Sequence, residues 1–144
     1  MTTVIEDSEL SSELQELYLK TKHWISDVEF VENELRFLKL LFSKKFPQVF
    51  KSADFEDIAE LLKKIDKIDT TLPKLKSNIL VYMNTLESLI VEVKQNMDVS
   101  LIENHTKLEF ELNGVLQAFQ NLKGMVFFLT KHTSESDVFA SKAL

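Results

Sequence analysis

Apolar residues recur along this chain at alternating steps of three and four, in three long runs. The first is Leu10, Leu14, Leu17, Thr21, Trp24, Val28, Val31, Leu35, Leu38 and Phe42. Steps of three and four keep side chains on one stripe of an α-helix. Sustained over several heptads, they keep that stripe facing a partner helix. Asp7 or Ser8 can cap the exposed N–H groups at its start, and Pro47, with no N–H to donate, should end it. The pattern predicts a helix over residues 8–45, about 55–60 Å long at 1.5 Å per residue.

The second run is Ile58, Leu61, Ile65, Ile68, Leu72, Leu75, Ile79, Tyr82, Leu86, Leu89 and Val93, with Pro73 inside it. The residue before a proline is pushed away from α geometry, so Leu72-Pro73 alone reads as a break. The phase is the same on both sides of Pro73, and two unrelated helices would share a phase only by chance. One helix over residues 53–97, capped by Ser52 or Asp54 and kinked near residues 69–73, is therefore expected. The alternative is a four-helix bundle with a short second helix.

Ser100 and Glu103 have capping-box spacing and open the third run, in which each side chain satisfies a backbone donor beside the other. Leu101, His105, Leu108, Leu112, Val115, Phe119, Leu122, Val126 and Leu129 carry the seam to about residue 131. Gly114 and Gly124 lie inside this helix but off the seam, each at a cost of about 1 kcal/mol against alanine. Three helices of similar length with short connections pack up-down-up. The expected fold is all-α, an elongated antiparallel helical bundle with heptad seams. It forms one domain over residues 1–132, with a frayed tail at 133–144.

Composition narrows the picture. The chain has two glycines and two prolines in 144 residues, too few for the turns of a β-rich domain or for a phosphate-cradling loop. A formal charge of −6, with lysines interspersed among acids as in "ELLKKIDKID", leaves no basic face for nucleic acid. There are no cysteines, hence no disulfides and no thiolate chemistry. The stretch "MTTVIEDSELSSEL" is acidic where a signal peptide is basic and then apolar, and the apolar burst "GMVFFL" is too short to span a bilayer. A cytoplasmic protein without membrane contact is expected.

Candidate chemistry is sparse. Carboxylate-bridged metal bundles use Glu-x-x-His, but the residues three before His23, His105 and His132 are Lys20, Ile102 and Leu129. His23 with Asp27, and His105 with Glu109, have the i,i+4 spacing of surface ion pairs and do not fill a zinc sphere. There is no Walker loop, HExxH, EF-hand loop or nucleophile elbow. The expectation is a non-enzymatic protein with no cofactor and no metal. Thr21 and His105, the polar members of otherwise apolar seams, are expected to form a polar core layer that fixes register at some cost in stability. On that reading His105→Leu raises thermal stability and loosens register or oligomeric state.

Two apolar features exceed what one seam needs. Phe42, Phe46, Phe50, Phe55, Phe127 and Phe128 gather at one end of the expected bundle, as an aromatic cap or an apolar pocket able to hold a small molecule. Phe30, Asn33, Phe37 and Leu40 follow a second three-and-four track on the side of the first helix opposite its seam. A helix with two apolar faces is normally sandwiched between two layers, and a three-helix monomer supplies one. Self-association as a homo-oligomer, a dimer, is expected through this stripe. A separate protein partner is the other occupant considered.

The run "HWISDVEFVENELRFLKLLF" resembles a pattern in small, uncharacterised helical-bundle proteins of Bacteroidota, in which a Trp, an acidic pair and an aromatic precede a second acidic-Leu step on a long first helix. His23, Trp24, Asp27, Phe30, Glu34 and Leu35 are the matching residues. The resemblance covers about twenty residues and implies a helical bundle; it brings no catalytic residues.

Overall fold

Among the described residues the computed structural model has three α-helices, α1 (Thr2–Val49), α2 (Phe55–Val91) and α3 (Val99–Ala143). The structure describes the backbone of residues 2–49, 55–91 and 99–143, and the side chains of residues 12–43, 56–91 and 99–130. Among the described residues there is no strand. The chain divides into two compact units. The first comprises Met1–Phe30 and Leu72–Gly114, and the second Val31–Thr71 and Val115–Leu144.

Every buried side chain among the described residues belongs to one of the three seams. In the first unit the core is built from Leu14, Trp24 and Val28 of α1, Leu72, Leu75, Ile79, Tyr82 and Leu86 of α2, and Leu101, Leu108 and Leu112 of α3. In the second it is built from Val31, Leu35 and Leu38, then Ile58, Leu61, Ile65 and Ile68, then Val115, Phe119, Leu122, Val126 and Leu129. Burying an aliphatic or Phe side chain contributes about 1.5–3 kcal/mol, so the three-and-four spacing is what fixes each helix's inward face.

Pro73 lies within α2, which runs unbroken from Phe55 to Val91, so among the described residues Pro73 does not separate two helices. Proline leaves the carbonyl four residues earlier, that of Asp69, without its ladder donor. Pro73 is exposed, so water can take that bond, while buried Leu72 and Leu75 hold the turn from within. Just before it, the Thr70 and Thr71 hydroxyls both donate to the Lys67 carbonyl, at 3.0 and 2.7 Å. Lys39 of α1 forms an ion pair with Asp69 in the same unit.

The helix ends differ from the sequence expectation. Helix α1 starts at Thr2, upstream of Asp7 and Ser8, and passes through Pro47 to Val49. Asp and Ser are only moderately poor inside a helix, and a proline in the last turn removes one ladder bond while sparing those before it. Helix α3 continues past residue 131 to Ala143, so the expected frayed tail is helical; no glycine or proline follows Gly124 to stop it. It begins at Val99, one residue before the expected cap Ser100, within the usual scatter of helix ends. Residues 50–54 and 92–98, which hold the expected cap residues Ser52 and Asp54 and the last part of the second expected helix, lie outside the described residues.

Candidate functional site: a buried polar chain and an exposed apolar stripe

A tyrosine on a helix seam brings a hydroxyl into the core, and a buried hydroxyl requires a partner. Tyr82, only 1% exposed, finds it in His105. The Tyr82 Oη and His105 Nδ1 atoms are 2.9 Å apart, joining α2 to α3 within the first unit. The Glu109 carboxylate faces Nε2 and favours the tautomer protonated there, which leaves Nδ1 as acceptor and Tyr82 as donor. That tautomer directs the Nε2–H towards Glu109 Oε2, at 3.5 Å one helical turn along α3. Lys20 Nζ of α1 stands 3.4 Å from the same carboxylate oxygen. A polar chain, Tyr82–His105–Glu109–Lys20, thus links all three helices.

Trp24 forms one wall of this arrangement. Its ring centroid lies 4.6 Å from that of His105, tilted by 36°, and 6.3 Å from that of Tyr82, stacked at 24°. The His105 side chain is 12% exposed, so one edge still meets solvent. Burial pushes its pKa down, Glu109 pulls it up, and Lys20 pushes it down; the net shift is downward. Burial pushes the Tyr82 phenol up to about 12. Both shifts favour the uncharged forms, the ones that share the hydrogen bond.

Thr21 and His105 are both in the first unit, but the polar layer they were expected to share is arranged otherwise. Thr21 is fully buried, and its hydroxyl donates to the Leu17 carbonyl of its own helix at 2.7 Å. Both ring nitrogens of His105 are engaged by Tyr82 and Glu109. The His105–Glu109 pairing follows from i,i+4 spacing, whereas Tyr82 and Lys20 are partners that seam reading did not identify. The available signal was a tyrosine occupying a seam position.

The His23 and Asp27 pair meets at 3.9 Å on the exposed side of α1. Among the described residues no three His, Asp or Glu side chains converge on a point where a metal ion could sit.

The second track on α1 faces outward. In the second unit Phe37 is 63% and Leu40 51% exposed, and between them and Phe30 lies exposed Asn33. The Asn33 amide oxygen accepts from Arg36 Nη1 at 3.4 Å. Phe30, the last α1 residue of the first unit, is 54% exposed. On α3 the most exposed aromatic among the described residues is Phe110, at 79%, a residue that lies off the seam.

The expected aromatic cap is only partly within view. Phe42 is half-buried, while Phe127 and Phe128 are exposed. The side chains of Phe46, Phe50 and Phe55 lie outside the described residues. No helix among the described residues is long and apolar enough to cross a membrane. No protein-family model, no curated protein and no solved structure matches this chain.

Proposed function

We propose that this chain is a non-enzymatic helical-bundle protein of the cytoplasm that works by protein–protein contact. Its helices run up-down-up with coiled-coil-like seams, and its first contact is with a second copy of itself. The observation that carries this reading is the outward stripe of α1, where Phe37 and Leu40 stand more than half exposed beside Asn33. Leaving two such side chains in water forgoes about 1.5–3 kcal/mol each, and clustered exposed apolar surface of this kind is characteristic of interaction sites. The alternating topology is supported by the composition of the units: each takes α1 and α3 from the same end and α2 from the opposite one.

Sedimentation velocity on the full chain and on the variants Phe37→Glu and Leu40→Glu tests the proposal. The parent chain is expected to sediment as a dimer, and both variants as monomers with unchanged helicity and a urea midpoint lower than the parent's, because the stabilisation by the second copy is lost. A parent chain that stays monomeric at high micromolar concentration overturns self-association.

A further inference from the structure

We propose that the chain Tyr82–His105–Glu109–Lys20 is an acid-sensitive latch: a proton taken from solvent by His105 Nδ1 removes the acceptor of the Tyr82 hydroxyl and loosens the packing of the first unit.

The argument starts from the hydroxyl. Tyr82 is buried, and its O–H is directed at His105 Nδ1 at 2.9 Å. In the neutral ring every polar hydrogen has a destination: the Tyr82 hydrogen goes to Nδ1, and the Nε2 hydrogen to Glu109. Adding one proton to Nδ1 turns the ring into a donor at both nitrogens. The Tyr82 oxygen can accept from it, but the hydroxyl hydrogen is then left in the core without an acceptor, the costly half of a broken buried hydrogen bond. The proton comes from bulk water through the exposed edge of His105, and no other reactant is consumed.

Three charged or titratable groups face the ring, one from each helix. Lys20 of α1 opposes a positive ring, and Tyr82 of α2 favours the neutral one through its donated bond. Glu109 of α3 favours the imidazolium, as does the face of Trp24 at 4.6 Å. The protonated ring is therefore supported well enough to form, yet at the expense of the α2–α3 bond. The downward shift of His105 agrees with the neutral latch being the closed one.

An NMR titration of the histidine rings in the full chain is the direct test, together with urea unfolding between about pH 7.5 and 5.5, a range centred on free imidazole. The His105 midpoint is expected clearly below the ordinary value of about 6.5, with the urea midpoint falling and Trp24 emission changing over the same pH range. In His105→Gln the side-chain amide can still accept from Tyr82 but cannot be protonated, so the pH response should be flat. In Tyr82→Phe the donated bond is gone, and the His105 midpoint should rise. A His105 midpoint at or above the ordinary value overturns the latch. So does a pH response of His105→Gln equal to the parent's, or an unmoved His105 midpoint in Tyr82→Phe.

Discussion

Tyr82 and His105 are hydrogen-bonded through Oη and Nδ1 at 2.9 Å, across the α2–α3 contact of the first unit. This pairing reverses what a lone polar residue on an apolar seam would lead one to expect. Replacing His105 by leucine leaves the buried Tyr82 hydroxyl with no acceptor, which costs about 1–3 kcal/mol. His105→Leu should therefore lower the urea unfolding free energy. The double variant Tyr82→Phe/His105→Leu removes both polar partners and should recover most of the loss, and a double-mutant cycle measures the coupling. A stabilised His105→Leu single variant would show the hydrogen bond to be dispensable.

Tyr82 also makes an alkaline prediction. Its phenol is pushed up to about 12 by burial, against about 10 for an unfolded tyrosine. Between those values the unfolded chain has lost the proton that the folded chain keeps. The contribution is thus fully present below about pH 10 and is lost as pH rises towards 12. The only other tyrosine, Tyr18, is raised chiefly by its hydrogen bond to Glu87, so the phenolate titration is best read by absorbance in Tyr18→Phe. The single remaining step should lie near 12 and coincide with unfolding; a step near the unfolded value would contradict the buried geometry.

Thr21→Val should change stability by no more than about 1 kcal/mol and should leave the oligomeric state alone. The Thr21 hydroxyl is bonded to the Leu17 carbonyl of its own helix. That carbonyl also accepts the Thr21 backbone N–H in the helical ladder, so no buried group loses its last partner. Urea unfolding and sedimentation of the variant check both halves. A large loss would mean that the hydroxyl acts between helices.

Gly114→Ala and Gly124→Ala should each stabilise the chain by about 1 kcal/mol. Among the described residues a Cβ built at either position meets nothing within 4 Å, so neither glycine serves close helix approach there. Thermal unfolding of the two variants reads the gain directly. If a variant instead loses self-association while its monomer is more stable, the glycine is needed at a contact with another molecule.

The sequence by itself determined the all-helical class and the inward face of every helix. Burial of apolar surface depends on which residues share a stripe, and the three-and-four spacing states that without reference to any neighbour. It is why Val28, Ile79 and Leu122 could be placed in the core, and why phase continuity carried α2 through Pro73. The outward track of Phe37 and Leu40 was legible for the same reason. Helix ends were less so: at Pro47 and beyond residue 131 the ladder ran on, because a single missing bond or a modest propensity does not outweigh the bonds already formed.

What only the tertiary structure decided is which residues meet across helices. Spacing along one helix yields His105 with Glu109, one turn apart. It is silent on the relative register of two helices, and register is what brings Tyr82 to Nδ1, Trp24 to the ring face and Lys20 to the carboxylate. The sequence shows a histidine on a seam; the packing of three helices gives it a partner at each ring nitrogen.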